Sequence, residues 1–431
     1  MNRTHAPDTD AEQESHNIIV LAVHQVLIRV AWVFKTETVI MPAFMDHIAG
    51  AGWLRGCLPV LNRFGQSIPP LLLSEKLRNA RYKKWTLLTS SIVMSIPFLV
   101  LAAIWVTIEE KRQPWLPYVF LMLYLCFFSA VGINQLAFGT VQGKLIRADR
   151  RGRLMSIAGI VGTFFSVAGL LLFLTDWLER EDGGFGLIFG FTGIGFVIGG
   201  LSVAFIKESA DQASPTKWAI AQRFRESWQT LMHDTGLQRL AIVSVCFSPL
   251  MLLFPHYQAL GRQGATIQAS GSDLMMWVAA QNITVGLYSL VAGYIADRFG
   301  NRLVLRGQLL VGAATPLIAL SLASTPGDNT LSDWYWVTFA MLGVAPVTLR
   351  TLTNFNLELT TPDNHPLYVS TLNVCIAVPF AAAPLVGYLV DAIGFTVVFL
   401  FCSCITATGC VLTFWLPEPR HDQQPGSHSA E

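Results

Sequence analysis

Charge is what this sequence lacks most. Asp, Glu, Lys and Arg make up 13% of its 431 residues, about half the roughly 25% of a soluble domain. So little charge cannot cover a chain of this length with polar surface, which excludes an ordinary water-soluble enzyme. A surplus of one sign is missing too. The 29 Lys and Arg meet 28 Asp and Glu, without the basic excess of a nucleic-acid binder. Cysteine is sparse: Cys57, Cys126, Cys246, Cys375, Cys402, Cys404 and Cys410 all lie in apolar stretches. None shows CxxC or His/Cys metal spacing, so they read as small buried hydrophobes. No phosphate-binding loop or nucleophile constellation is present, and neither catalysis, a metal nor a cofactor is expected. The first sixteen residues carry Asp8, Asp10, Glu12 and Glu14 against Arg3, a poor start for a signal peptide. The first apolar run is therefore expected to be retained.

What is abundant is apolar sequence, 52% of the chain, with a mean hydropathy of +0.48. A spanning helix needs about 20 apolar residues. Twelve runs qualify, near 18–45, 51–74, 85–107, 115–144, 154–176 and 184–206, then 238–260, 273–296, 303–323, 334–358, 367–391 and 395–416. The expectation is an all-α integral membrane protein of twelve transmembrane helices in two pseudo-symmetric six-helix bundles, 18–206 and 238–416. The flanks are a tail (1–17), a linker (207–237) and a second tail (417–431). With both termini in the cytoplasm, 20 Lys and Arg fall on the cytoplasmic side, 4 on the other and 5 inside spans, the asymmetry of the positive-inside rule. Gly132–Ser156 laid over Pro346–Ser370 aligns Asp149 with Asp363 and Ser156 with Ser370, a weak internal repeat. In the linker, Ser214-Pro215 reads as a helix start. Trp218, Ala221, Phe224, Trp228 and Leu231 then make an apolar stripe that fits either the membrane surface or the protein's own inner face. Trp277, Trp334 and Trp336 are expected in the outer aromatic belt.

After the eighth run the chain reads Gly293-Tyr-Ile-Ala-Asp297-Arg298-Phe-Gly300-Asn-Arg302. This resembles the G-x-x-x-D-R-x-G-x-R signature of the major facilitator superfamily, in the loop where that family carries it. Arg150-Arg-Gly-Arg153 and Pro384-Leu-Val-Gly387-Tyr388-Leu-Val-Asp391 resemble further segments of the family. The resemblance implies the major facilitator fold and a signature that latches the cytoplasmic side. Gly293 would admit a close helix, Asp297 would accept from a facing helix N-terminus, and Gly300 would permit the turn. The first-half copy, Leu71-Leu-Leu-Ser-Glu75-Lys76-Leu-Arg78, departs from the pattern, with Glu75 in place of the aspartate. The fifth span lacks the proline of the family's drug-antiporter signature.

The sharpest signals are charges inside the spans, each costing roughly 2.5–3.5 kcal/mol at mid-bilayer on insertion scales. The first span holds Arg29, Lys35 and Glu37, the second Arg55, Asn62, Arg63 and Gln66, and the tenth Arg350, Asn354 and Asn356. Antiparallel depth counting sets Glu37 between Arg55 and Arg63, where it is expected to neutralise one of them. Lys35 and Glu37, two apart on a continuous helix, would not face each other. An excess of about four positive charges suggests an anionic substrate, clamped by Arg63 and Arg350 with Arg29, Lys35 and Asn354 as further contacts. Arginine suits such a ligand because its fork binds carboxylate or phosphate bidentately. Glu37 is read as either a coupling carboxylate or an ion-pair partner.

The chain is thus expected to be a secondary transporter of a small organic anion working by alternating access, monomeric, in a bacterial inner membrane. Coupling to a proton or a counter-substrate is left open. The alternatives are proton-coupled transport of neutral or cationic compounds through a protonatable Glu37, and a non-transporting membrane sensor.

Overall fold

The computed structural model describes residues 6–78, 80–210, 220–264, 270–323, 333–361 and 364–417. Among them helices carry nearly all the regular structure, and no strand occurs. Eleven helices are long and apolar enough to cross a membrane. They coincide with eleven of the twelve expected runs. The remaining run, 51–74, is also one long helix, Gly52–Arg78. Its Arg55, Asn62, Arg63 and Gln66 set it apart from the apolar eleven.

The described chain divides into two compact units that follow the sequence halves with two exchanges. Residues 50–60 group with the second half, and 270–275 with the first. Each unit is considered by itself.

The first unit begins with α1 (Ala6–Val33), which starts well ahead of the expected residue 18. Glu14 anchors the polar start of this helix. Glu14 accepts from the Arg147 backbone N–H (2.9 Å) and pairs with Arg147 (3.1 Å) and Arg150 (3.2 Å). It thereby neutralises the N-terminus of α6 (Ala148–Gly169). Glu208 does the same for α4 (Lys83–Thr107), accepting from the Lys83 and Lys84 N–H groups at 2.9 Å and pairing with Lys144. A carboxylate placed on free N–H groups at a helix start satisfies both hydrogen bonding and the helix dipole.

Pro42 falls in the first turn of a short helix, α2 (Ile40–Ile48), which follows α1 after a non-helical link, 34–39. Proline carries no N–H, which suits it to the first turn of a helix, where that N–H would have no partner within the helix. Thr36 stabilises the restart by accepting from Ile40 N–H on its hydroxyl (3.2 Å) and from Met41 N–H on its carbonyl (2.9 Å). The core beneath is aromatic. Phe44 is ringed by Trp105, Phe120, Phe185 and Phe189, and Phe98, Phe127 and Phe196 form a second cluster.

The second unit repeats the broken helix. The seventh span comprises α10 (Thr235–Leu252) and α11 (Phe254–Gly264), with Pro255 in the first turn of the second piece. Trp277, expected in the outer aromatic belt, is instead 4% exposed. It stacks on Phe339 at 4.8 Å and packs on Tyr335, whose hydroxyl donates to the Tyr257 carbonyl. Aromatic packing inside the unit outcompetes the interface there, while Trp334 stays exposed. In the linker, Ser214, Pro215 and Trp218 lie outside the described residues, and α9 covers Ile220–His233. It packs against α10 and the helix His365–Ala377, leaving Trp228 and Met232 exposed.

Candidate functional site

The polar residues of the first unit converge because two helices approach closely. The helix Gly52–Arg78, here α3, crosses α5 (Leu116–Leu145). A Cβ at Gly65 would lie 2.7 Å from the Phe128 Cβ, and one at Gly132 would lie 2.6 Å from the Gln66 carbonyl oxygen. No larger side chain fits at either position without moving backbone. The crossing sets Asn62 and Gln66 of α3 beside Phe128 and Gln135 of α5.

The break between α1 and α2 delivers the charges. Lys35 Nζ lies 3.1 Å from Glu37 Oε1, and the lysine side chain is 0% exposed. This corrects the expectation that the two do not face each other, because residues 34–39 are not helical and the helical spacing does not apply. The ammonium sits 3.2 Å from the Trp32 ring centroid, 4.6 Å from Phe128 and 4.8 Å from Phe127. Cation–π contacts of this kind contribute about 0.5–2 kcal/mol. Glu37 Oε2 accepts from Asn62, Asn62 Oδ1 accepts from Gln66, and Gln66 Oε1 accepts from the exposed Gln135 at 3.2 Å. A hydrogen-bonded chain thus runs from the buried ammonium to the surface of the unit. Two of the arginines expected inside spans, Arg29 and Arg63, belong to this unit. Arg29 lies half-buried against Gly162 of α6, where a Cβ would stand 2.9 Å from the arginine Cδ, and Arg63 is half-buried on α3.

In the second unit, Arg55 does not wait for Glu37. Its Nη2 lies 3.5 Å from Asp391 Oδ1, and Asp391 Oδ2 accepts the Gly52 backbone N–H at 2.6 Å. Asp391 lies in the last turn of the helix Ala383–Ile393. The two helices all but touch, since a Cβ at Gly387 would overlap the Gly52 carbonyl. The sequence reading missed this partner, although Asp391 closes a segment it had singled out. Pairing Arg55 with Asp391 lowers the intramembrane excess from about four positive charges to about three. On the helix Val344–Glu358, Arg350 and Asn354 are both exposed, one turn apart on one face, whereas Asn356 is buried.

The signature segment is split in its behaviour. Gly300 has φ +87°, a left-handed turn that glycine adopts without strain. Asp297 and Arg298 are exposed at the end of α12 (Gly271–Phe299), and Arg302 donates to the Leu416 carbonyl at 3.0 Å. Gly293 departs from expectation: a Cβ there would meet nothing within 4 Å, so it admits no close helix in this structure. Glu75 lies within α3.

Residues 263–431 match the model of the Major Facilitator Superfamily. Over 93–96% of its length the chain superposes on solved transporters. The chain has the fold of these transporters. A nucleoside transporter, NupG, aligns at TM-score 0.71 and 12% identity over 93% of this chain and 99% of its own. A bacterial homologue of the human lysosomal transporter Spinster aligns at 0.65 and 12% over 96% and 99%. A POT family transporter bound to 5-aminolevulinic acid aligns at 0.68 and 11% over 94% and 96%. At such identities the likeness is one of fold. No curated protein matches by sequence. The chain is a multi-pass integral membrane protein, consistent with eleven apolar spans among the described residues.

Proposed function

We propose that the chain is a secondary transporter that moves a small organic anion by alternating access, with both termini in the cytoplasm of a bacterial inner membrane. The carrying observation is charge balance within the first unit. Its deep ionisable residues are Arg29, Lys35 and Arg63 against Glu37, and Glu37 holds Lys35. Positive residues therefore outnumber carboxylates among these positions, and ionisable groups in membrane-spanning helices mark functional sites by default. An anion with a carboxylate or phosphate matches the arginine fork. Arg63 and Arg29 in the first unit, and Arg350 with Asn354 in the second, are the proposed contacts. Lys35 is proposed to set Glu37 rather than to touch substrate.

The signature around Asp297 is proposed to gate. The solved relatives carry nucleosides or peptides by their names, which supports solute transport as the general activity.

The test is thermal unfolding of the purified protein against organic anions, sugars and cationic drugs. A ligand at 100 times its Kd stabilises by about 2.7 kcal/mol. Stabilisation by one anion class, lost in Arg63→Ala and in Arg350→Ala, is the expected result. Stabilisation by neutral or cationic compounds alone, unchanged in both variants, would sink it. A second reading, proton-coupled transport of a neutral or cationic solute, is favoured by the chain Glu37–Asn62–Gln66–Gln135, which links a carboxylate to the surface of the unit. Flux that depends on a pH gradient and loses that dependence in Glu37→Gln would select it.

A further inference from the structure

The environment of Lys35 has the chemistry of a receptor for an organic cation. Three aromatic faces surround the ammonium, with Trp32 at 3.2 Å, Phe128 at 4.6 Å and Phe127 at 4.8 Å. A carboxylate closes the fourth side at 3.1 Å. Aromatic walls plus one anion are how proteins bind alkylammonium ligands. The walls are held from behind. Phe127 packs on Phe98 at 4.8 Å and on Phe196 at 5.6 Å, and Phe128 packs on Tyr124 at 4.8 Å. The Tyr124 hydroxyl is buried without a hydrogen-bond partner among the described residues, one more polar atom in the aromatic group. The Glu37 wall is the open side, since that side chain is 23% exposed. The occupant comes from the non-helical link 34–39, not from a helix.

We propose that Trp32, Phe127, Phe128 and Glu37 form an alkylammonium-binding site in the first unit, that Lys35 is its tethered occupant, and that this occupancy keeps organic cations out. The lysine thereby acts as a selectivity residue. It fills a place where an organic cation would otherwise be welcome.

Truncating Lys35 to alanine removes the equivalent of n-propylammonium. The purified full-length Lys35→Ala variant is expected to bind n-propylammonium, seen as a saturable rise in its unfolding midpoint of several degrees. The neutral isostere n-propanol should give no rise at equal concentration. Wild type and Lys35→Met, whose boxes are full, should not respond, and adding Glu37→Gln to Lys35→Ala should weaken the response at least tenfold in apparent affinity. If Lys35→Ala does not accumulate, expression and extraction in n-propylammonium should restore it where n-propanol does not. An equal response of wild type and Lys35→Ala, no response in any variant, or recovery by both or neither additive would overturn the assignment. The readout is binding to the purified chain, so it stands apart from whether an anion is transported.

Discussion

The first and seventh spans are broken at comparable points, yet they fill their breaks with opposite chemistry. In the first, the link between α1 and α2 buries an ammonium and its carboxylate among aromatic rings. In the seventh, the step from α10 to α11 buries neutral groups. His256 and Gln258 are both 0% exposed, and neither ring nitrogen of His256 nor either amide atom of Gln258 has a hydrogen-bond partner among the described residues. The same backbone device, a proline in the first turn of the second piece, serves both. Geometry is therefore shared between the halves while charge is not. The charged break is a satisfied network that fails expensively. The neutral one carries unpaired polar atoms that cost stability as they stand.

The largest effect should come from breaking that contrast at the charged end. Lys35→Ala leaves Glu37 without its ion partner, and breaking a buried pair typically costs about 3–5 kcal/mol. Asn62 still donates to Glu37, which argues for the lower part of that range. The unfolding midpoint should fall by several degrees. Lys35→Met with Glu37→Gln should recover most of the loss, since no charge is then stranded. His256→Phe should move the other way. It removes two buried, unpaired nitrogens and should raise the midpoint by a degree or two. A loss comparable to that of Lys35→Ala would mean that His256 is paired by something the helices do not supply.

What was legible in the sequence follows the same division. Apolar length located the spans, because bilayer thickness leaves little freedom. The Gly293–Arg302 signature pointed to the fold, and the polar positions singled out in the first two spans include Lys35, Glu37, Asn62 and Gln66, which gather in the first unit. The pairing was not legible. Depth counting assumed a straight first helix, and on a straight helix Lys35 and Glu37 diverge. The available cue was Pro42, which suits the first turn of a new helix, but Pro97 and Pro316 sit inside α4 and α13 (Asn301–Ala323) without ending them. Proline alone does not distinguish a kink from a break. Asp391 escaped because its partner is more than three hundred residues away in sequence, and no local spacing records such a contact.

An intermediate effect should separate the two close approaches of α3 from the open glycines. Gly65→Leu drives a side chain into the Phe128 backbone, and overpacking of this kind costs about 1–3 kcal/mol. Because the crossing also positions Asn62 and Gln66, ligand-induced stabilisation should fall together with the midpoint. Gly387→Leu should cost a similar amount by forcing Gly52 away, but it should leave the first unit's ligand response intact. Equal loss of response in both variants would show that the α3–α5 crossing is not what organises the polar chain.

The smallest effect is the most direct challenge to the resemblance. Gly293 stands in the signature where close helix contact was expected, yet a Cβ there meets open space. In a helix interior, alanine is favoured over glycine by roughly 0.5–1 kcal/mol through lost backbone freedom alone. Gly293→Ala should therefore leave the midpoint unchanged or raise it slightly in the conformation described here. If the signature closes against another helix at a different stage of a transport cycle, the same methyl group would obstruct that stage only. Flux would then fall while the resting stability rose, a combination that simple misfolding cannot produce. Unchanged flux with raised stability would instead make Gly293 a relic of the motif, leaving Gly300, with its φ of +87°, as the glycine the turn requires.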